Sequence, residues 1–326
     1  IIFDKPAKGK RTATAGWYNT AAFEQIAQAD GLYAKTLNGD AYSAEMKEQT
    51  IETIKKDLGQ VDMVIYSIAA PRRTAPDGVT YKSVLKTTGE AYTNRTIDLR
   101  SNQLTEATIE PATQEEINNT IKVMGGEDWI LWIKALKDAG VLADGAKTVA
   151  YSYIGPELTY PIYKEGSIGQ AKKDLYASAD KIQEEVDGVE AYVSVNKAVV
   201  TQSSAAIPIV PLYLAILFKV MKEQNVQEGC IEQMYRMIHD RLCNGGEVVT
   251  DENRLIRMDD WEMEPKVQEA VAAIWEKIDQ DNLEEVTDLE GYWQEFYEIF
   301  GFCIDGVDYS ADVDADVQIP SIAPVE

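Results

Sequence analysis

The chain has 326 residues, of which 45% are hydrophobic and 26% charged, and this composition excludes disordered, collagen-like and coiled-coil proteins. Its 31 basic and 55 acidic residues give a net charge of −24, which argues against binding to nucleic acid or to an anionic membrane surface. One histidine, His239, and three cysteines without CxxC spacing predict neither a metal site nor a disulfide framework. Reduced thiols fit a cytoplasmic or organelle-matrix compartment.

The first part of the chain alternates strand-like and helix-like segments. Strands are predicted at 1–3, 33–37, 61–67, 147–153 and 190–195, and helices at 17–28, 44–58, 115–139 with a break at Gly125-Gly126, and 168–186. The segment 61–67 is a nearly continuous apolar run, which is typical of a strand buried on both faces of a parallel sheet. This alternation predicts an α/β fold with a doubly wound, Rossmann-like parallel sheet.

Two further regions complete the predicted organisation. Residues 72–120 are polar and rich in turn residues, which indicates a surface excursion with a β-hairpin, and the chain after Pro211 is mostly helical. The apolar stretch 205–220 contains two prolines and is too short to cross a bilayer, so we expect it in the core. We therefore predict a Rossmann-like cofactor-binding and catalytic region at 1–215 and a helical region packed on it at 216–326.

Several predicted strands end in residues that suit a ligand site, because doubly wound sheets bind ligands beyond the carboxyl ends of their strands. Asp4 follows the first strand, Asp40-Ala41 the second, and the small residues Ser67-Ile68-Ala69-Ala70 the third. Each of these is equally compatible with an ordinary turn. The glycine fingerprints GxGxxG and GxxxxGK are absent, which counts against a complete nucleotide site within these residues.

The most informative local pattern is Tyr163 followed by Lys172 with eight residues between them. On one continuous helix this spacing puts the two side chains on opposite faces, so they converge only if a helix begins between them. Ser167 and Gln170 form an S-x-x-Q pattern that predicts a capping box at such a start. A tyrosine beside a lysine can act as an acid toward an activated carbonyl system, because the cation lowers the phenol pKa from near 10.

The spacing alone is weak evidence, because 17 tyrosines and 22 lysines in 326 residues produce about one such pair by chance. Its surroundings add the specificity. Eight stretches resemble the FabV-type enoyl-ACP reductases and trans-2-enoyl-CoA reductases, large relatives of the short-chain dehydrogenases with a Tyr-x8-Lys signature. They are 15–19, 38–41, 66–73, 123–129, 151–155, 163–172, 199–202 and 229–233, and the resemblance extends to 306–309.

The resemblance implies NADH-dependent reduction of the C2=C3 double bond of an enoyl thioester, a step of fatty acid synthesis. It implies that Tyr163 is the catalytic acid, that Lys172 holds the nicotinamide ribose and tunes this tyrosine, and that Tyr153 is a second phenol facing the substrate carbonyl. The implied cofactor contacts are Phe3 and Asp4 at the adenosine ribose, Asp40 and Ala41 at the adenine, Ile68 and Ala69 along the cofactor, and Val199, Val200 and Thr201 at the nicotinamide and pyrophosphate.

The chain departs from this family at its start, because the first strand, its glycine-rich turn and the following helix are missing. We therefore expect the native protein to extend upstream of Ile1. Asp4 would favour NADH over NADPH, whereas Lys5, Lys8, Lys10 and Arg11 could pair with the 2′-phosphate of NADPH, so we expect weaker use of NADPH.

Two alternative functions stay open. One is a ketoreductase of the same superfamily, in which the Tyr and Lys would be four residues apart on one helix face. The other is a non-catalytic Rossmann-like nucleotide-binding protein. The carrier of the acyl group is either coenzyme A or acyl carrier protein. We further expect a monomer, with no nucleic acid, membrane or metal partner, in the cytoplasm or, in a eukaryote, the mitochondrial matrix.

Overall fold

The computed structural model describes residues 1–322, and the chain divides into two compact units. The first unit contains Ile1–Gly59, Thr74–Gly78 and the described residues from Tyr297 onward, and the second contains Gln60–Arg73 and Val79–Phe296. The helices are α1 (Ala15–Ala29), α2 (Ala44–Asp57), α3 (Gln114–Met124), α4 (Glu127–Asp138), α5 (Ser167–Glu185), α6 (Val210–Glu223), α7 (Cys230–Arg236), α8 (Pro265–Lys277), α9 (Leu283–Val286) and α10 (Leu289–Glu298). The strands are β1 (Val61–Tyr66), β2 (Arg72–Thr74), β3 (Thr80–Lys82), β4 (Tyr92–Asp98), β5 (Gln103–Ile109), β6 (Leu142–Ser152), β7 (Val189–Val195) and β8 (Leu255–Arg257).

The second unit is built on a parallel sheet with the strand order β1-β6-β7-β8. Helix α5 connects β6 to β7, which makes a β–α–β crossover, and the two strands pair in register from Ala146 with Val189 to Ser152 with Val195. Parallel neighbours require such crossovers, since a tight hairpin can join only antiparallel strands. The predicted α/β fold with a doubly wound, Rossmann-like sheet is confirmed.

Both faces of β6, an inner strand of this sheet, are covered. Thr148 and Val149 are neighbours in β6 and point to opposite faces. Thr148 accepts a hydrogen bond of 2.9 Å from the indole Nε1 of Trp129 in α4. Val149 packs in a buried cluster with Met237 and Leu242, which belong to a π-helix at Met237–Leu242. Strands β6 and β7 are therefore mostly shielded from water on both sides.

Strand β1 lies at one end of the strand order, and in it Asp62 and Ile65 are exposed while only Tyr66 is buried. The prediction that the segment 61–67 is buried on both faces is therefore wrong.

The chain after Pro211 is mostly helical, as predicted. Helix α6 is buried almost all round, because every residue from Val210 to Phe218 is buried. This confirms the interpretation of the apolar stretch as a core segment. Ile209, which precedes α6, has a φ of 75° although it is β-branched, and its amide donates to the Thr96 hydroxyl at 3.0 Å. Among the described residues no helix is both long enough and apolar enough to span a membrane.

The excursion predicted for residues 72–120 consists of two small sheets, β2–β3 and β4–β5. Strands β4 and β5 form an antiparallel hairpin from Tyr92 paired with Ile109 to Asp98 paired with Gln103. The predicted long helix is divided into α3 and α4 at the two glycines. A side chain on Gly126 would place its Cβ 2.2 Å from Ser178 in α5, so the chain needs glycine for this close approach.

The structure corrects three details of the sequence-based prediction. No strand forms at 1–3 or 33–37, since only Ile2 and Asn38 form an isolated parallel bridge and these short segments have no further ladder partner. The capping box at Ser167 is wrong: Gly166 is the N-cap residue, and the Ser167 hydroxyl instead donates to the Val84 carbonyl at 2.6 Å. Strand β8 was missed, because three residues are too few to reveal a period.

Candidate active site

Two tyrosines meet at the carboxyl end of β6, where a doubly wound sheet places its ligand sites. The rings of Tyr153 and Tyr163 pack edge to face, with centroids 5.0 Å apart and planes at 86°. Gly155 makes room for the first of them: its φ is +74°, and a Cβ there would lie 2.9 Å from the Tyr153 hydroxyl. The structure therefore brings together the two phenols that the resemblance implies for the reaction.

Lys172 approaches the same strand end from the second turn of α5. Its ammonium group donates a hydrogen bond of 3.1 Å to the main-chain carbonyl of Tyr151, the last residue but one of β6. Burial lowers the pKa of Lys172 to about 8, because an ammonium ion loses its hydration inside the protein. A hydrogen-bond donor that can change its charge thus lies at the strand end that also carries the phenols.

Tyr163 precedes α5, as predicted, so the helix does begin between Tyr163 and Lys172. Among the described residues no hydrogen bond joins these two side chains, and each is tied to the end of β6 separately. Burial, followed by the charge of Glu262, raises the pKa of Tyr163 above its ordinary value of 10. The phenol therefore stays protonated at neutral pH, and a lowering of its pKa by Lys172 stays a prediction.

A cavity of about 310 Å³ opens beside Lys172. Its walls come from the segments after β1, from the end of β6 and from α5: Tyr66, Ser67, Ile68, Ala69, Met124, Tyr151, Lys172 and Leu175. Ile68 and Ala69, which the resemblance assigns to the cofactor, lie here with Lys172. The cavity has an apolar wall and a donor of hydrogen bonds, and these features fit the nicotinamide–ribose half of a dinucleotide.

The loop after β7 holds the next three residues of the implied cofactor set. Val200 is buried, whereas Thr201 is exposed. Thr201 and Ser204 exchange two hydrogen bonds, each from a main-chain N–H to the other's hydroxyl, at 2.8 and 2.9 Å. Ser204 also donates to the Val199 carbonyl at 3.3 Å, so a local network fixes the shape of this loop.

The remaining predicted cofactor residues belong to the first unit. The Ile2–Asn38 bridge sets their two segments side by side, so Phe3-Asp4 and Asp40-Ala41 follow adjacent stretches of chain. Asp4 and Asn38 exchange two hydrogen bonds of 3.0 Å, and the Thr14 hydroxyl donates to the Asp4 carboxylate at 2.7 Å. Asp4 is therefore held in one orientation and is half-buried. The adenosine contacts of these residues remain a prediction.

Sequence reasoning missed a buried acid that contacts the site. Glu262 is fully buried, and its Oε1 accepts hydrogen bonds from the hydroxyls of Tyr213 at 2.6 Å and Tyr153 at 3.2 Å. In the sequence Glu262 lies among Asp259, Asp260 and Glu264, which look like a solvated acidic turn. A useful signal would have been the apolar residues that alternate with these acids.

Three kinds of comparison agree on what this chain is similar to. A family profile described as the trans-2-enoyl-CoA reductase catalytic region matches residues 11–243, and one described as the enoyl reductase FAD binding domain matches residues 250–313. The trans-2-enoyl-CoA reductase [NADH] of Ruminiclostridium cellulolyticum is 55% identical over 99% of this chain and 82% of its own length. The enoyl-[acyl-carrier-protein] reductase [NADH] of Flavobacterium johnsoniae is 53% identical over the same shares.

A solved structure extends this similarity to the fold. The crystal structure of Treponema denticola trans-2-enoyl-CoA reductase in complex with NAD superimposes with a TM-score of 0.94 and 47% identity. The match covers 99% of this chain and 81% of that one.

The second profile names FAD, and residues 250–313, all of which the structure describes, can be tested for that group. A dinucleotide pyrophosphate is typically held by a glycine-rich turn between a strand and a helix. The glycines of this segment are Gly291, Gly301 and Gly306, and none lies between β8 and α8. Arg257, the last residue of β8, already forms an ion pair of 2.6 Å with Asp259. The segment does not fit a flavin pyrophosphate, and we assign no flavin to it.

The long and nearly complete matches agree with the motifs read from the sequence and with the phenol pair at the end of β6. The resemblance is confirmed, and the chain belongs to the family of trans-2-enoyl-CoA and enoyl-[acyl-carrier-protein] reductases.

Proposed function

We propose that this protein reduces the C2=C3 double bond of trans-2-enoyl thioesters with NADH. The observation that carries this proposal is the pair of phenols, Tyr153 and Tyr163, packed together at the carboxyl end of β6, to which Lys172 also hydrogen-bonds. The relatives named above are enoyl reductases whose names specify NADH. Reduction of an enoyl thioester needs a donor that stabilises charge on the carbonyl oxygen, and two neighbouring phenols supply such donors.

We propose that the cofactor is held by Lys172 of α5, by residues that follow β1 and β7, and by residues of the first unit. Lys172 would donate to the nicotinamide ribose, Ile68 and Ala69 would line the cofactor, and Val199, Val200 and Thr201 would contact the nicotinamide and pyrophosphate. Phe3 and Asp4 would contact the adenosine ribose, and Asp40 and Ala41 the adenine. NADH, when bound, supplies the hydride that C3 accepts.

The protein's own groups then act on the thioester oxygen. Negative charge collects on this oxygen as the double bond is reduced, and Tyr163 donates a hydrogen bond to it and serves as the acid. Tyr153 is the second substrate-facing phenol. One such donor to a developing oxyanion contributes about 3–4 kcal/mol to the transition state. The raised pKa keeps the phenol protonated, which suits its role as hydrogen-bond donor. Its role as the acid would need the lowering of this pKa that Lys172 is expected to cause.

The two alternatives predict different behaviour. A ketoreductase would carry its tyrosine and lysine on one helix face, whereas here α5 begins between Tyr163 and Lys172. A non-catalytic binding protein would bind NADH without turnover. The decisive measurement is the loss of NADH absorbance with crotonyl-CoA and, separately, with acetoacetyl-CoA. Oxidation with crotonyl-CoA supports the proposal, oxidation with acetoacetyl-CoA alone supports the ketoreductase, and binding without oxidation supports the third reading.

The acyl carrier, the oligomeric state and the compartment are finer proposals. We propose that the substrate is a thioester of coenzyme A or acyl carrier protein, that the protein is a monomer, and that it acts in the cytoplasm. Steady-state kinetics on matched thioesters distinguishes coenzyme A from acyl carrier protein as the carrier, because a surface that recognises one carrier changes KM far more than kcat. Sedimentation at several concentrations tests the monomer.

A further inference from the structure

Glu262 is the hub of a buried hydrogen-bond network that reaches the proposed active site. It follows β8, and no part of it is exposed. Its Oε1 accepts from Tyr213 at 2.6 Å and from Tyr153 at 3.2 Å, and its Oε2 accepts from the Ala198 amide at 2.7 Å. One carboxyl group thus joins α6, the loop after β7 and the segment after β6.

Its orientation is fixed from the other side as well. The amide Nε2 of Gln268, in α8, donates to the main-chain carbonyl of Glu262 at 2.7 Å and to the Tyr213 hydroxyl at 3.2 Å. Tyr213 is fully buried. The carboxyl group therefore has little freedom to turn away from the two phenols, and the position of the Tyr153 hydroxyl depends on it.

The number of protons in this network limits what Tyr153 can do. A phenol carries one proton, and an ionised carboxylate can only accept. When Glu262 is ionised, Tyr153 directs its single proton to Oε1 and has none for a substrate oxygen. When Glu262 is protonated, the carboxyl group can donate to the Tyr153 oxygen while Tyr213 and Ala198 continue to donate to it. The Tyr153 proton is then free to point toward its neighbour Tyr163 and the site.

We propose that Glu262 is a positioning residue whose protonation state decides whether Tyr153 can donate a hydrogen bond to the thioester oxygen. The proton of Glu262 stays on its carboxyl group throughout, so no net transfer to the substrate is required. This inference rests on the proposed function, in which Tyr153 faces the substrate carbonyl, and it adds a group that does not itself touch the substrate.

The charges around Glu262 allow both states. Burial raises the pKa of Glu262 above the ordinary value, and Asp259 in the same turn acts in that direction. The hydrogen bonds from Tyr213 and Ala198 and the charge of Lys197 act against it. Lys197 is itself buried, which lowers its pKa, and its ammonium donates to the Ala198 carbonyl at 2.9 Å. Tyr153, Tyr163 and Tyr213 are the other titratable groups nearby, and burial raises the pKa of all three.

The test is the pH profile of kcat for crotonyl-CoA reduction in the wild type and in Glu262→Gln. A glutamine whose carbonyl accepts from the Ala198 amide places its NH₂ at the two phenols, so toward Tyr153 it imitates the protonated acid at every pH, whereas Tyr213 loses its acceptor. We expect the ratio of variant kcat to wild-type kcat to rise with pH through one ionisation, by up to about a hundredfold. A ratio that stays constant over the whole range overturns the proposal.

A second variant and a second readout keep the test decisive if Glu262→Gln does not fold. Tyr213→Phe removes a donor that stabilises the carboxylate, so the fall in kcat should move to higher pH. The infrared band of the protonated carboxylic acid disappears as Glu262 ionises. In the protein without substrate, the pH at which this band is half lost should rise by the same amount. If the pH midpoint of that band and the pH at which kcat falls do not shift together, Glu262 does not control the reaction.

A control variant and the activity of the wild type distinguish a failure of this inference from a failure of the proposed function. Glu24→Gln removes another fully buried carboxylate, which accepts a hydrogen bond from Ser321 in the first unit. It should leave the pH at which kcat falls unchanged. A wild type that binds NADH without reducing crotonyl-CoA contradicts the proposed function itself. A wild type that reduces it with a profile unchanged in Glu262→Gln contradicts only the role of Glu262.

Discussion

The ring of Tyr163 meets the ring of Tyr153 edge to face, with centroids 5.0 Å apart, so each phenol restricts the orientation of the other. Edge-to-face pairs are favoured by the aromatic quadrupole and contribute about 0.5–1.5 kcal/mol beyond the area they bury. A substitution that keeps the ring therefore preserves the geometry and tests the hydroxyl alone.

Tyr163→Phe should lower kcat about a hundredfold or more while it changes KM for NADH little, because the hydroxyl is needed mainly in the transition state. Steady-state kinetics with crotonyl-CoA measures both constants. Tyr235→Phe is the matched control, since Tyr235 is exposed and stacks on His239. Activity of Tyr163→Phe within a few-fold of wild type would transfer the role of acid to Tyr153.

Lys172→Met should weaken NADH binding and abolish its pH dependence near the lysine pKa of about 8. Below that pH the ammonium makes a charge-assisted hydrogen bond to the ribose, which is stronger than a neutral one, and above it the amine does not. Fluorescence titration with NADH across the range measures the affinity. An affinity equal to that of wild type at every pH contradicts a contact with the ribose.

The same substitution should stabilise the folded protein without cofactor. The pKa of Lys172 is about 8 in the folded chain against an ordinary 10.5, so the folded chain binds fewer protons between these values. Lys172 therefore costs most stability below pH 8, and this cost disappears as the pH rises to 10.5. The difference corresponds to about 3 kcal/mol at most. Urea unfolding of Lys172→Met should show higher stability at neutral pH and convergence with wild type at high pH.

Cofactor choice should depend on the orientation of Asp4. Asp4→Ala should narrow the preference for NADH over NADPH, because the carboxylate accepts from the ribose 2′-hydroxyl and repels a 2′-phosphate. Gly16→Ala should act in the same direction, since its Cβ would lie 2.6 Å from Oδ2 of Asp4 and displace it.

The ratio of kcat/KM for the two cofactors is the measurement for this pair of variants. Gly89→Ala is the control, because nothing lies within 4 Å of the added Cβ. The NADPH activity should also fall as ionic strength rises, since mobile lysines near Asp4 are screened by salt. A wild type that prefers NADPH would show that Asp4 does not discriminate.

Ser167→Ala should destabilise the protein by about 1–3 kcal/mol, because it removes the side-chain partner of two main-chain groups in half-buried residues. The Ser167 hydroxyl donates to the Val84 carbonyl and accepts from the Lys86 amide at 3.1 Å. Ser178→Ala, in the same helix, is the control, since within the described part of the chain its hydroxyl hydrogen-bonds to the Asp174 carbonyl of α5 alone. Equal unfolding midpoints for the two variants would show that this tie does not hold the start of α5.

The sequence predicts the parts of this protein that depend on local pattern. The alternation of strands and helices from β1 onward and the Gly125-Gly126 break are local features, and they lie where they were expected. Glu262 could not be found in this way, because it is 109 residues from Tyr153 and 49 from Tyr213 along the chain. Its role arises only when α6 and the end of β6 come together around it. The capping box predicted at Ser167 was wrong for a similar reason, since the hydrogen-bond partners of its hydroxyl lie more than 80 residues away along the chain.

Strand β8 ends one side of the parallel sheet and is only three residues long. An edge strand presents unpaired main-chain groups on which another chain can add itself, and a long flat edge invites aggregation. Here the edge offers few such groups, and its last residue, Arg257, carries a charge held by Asp259 at 2.6 Å. The brevity of β8, which hid it from sequence analysis, thus also protects the folded protein from sheet-to-sheet association at this side.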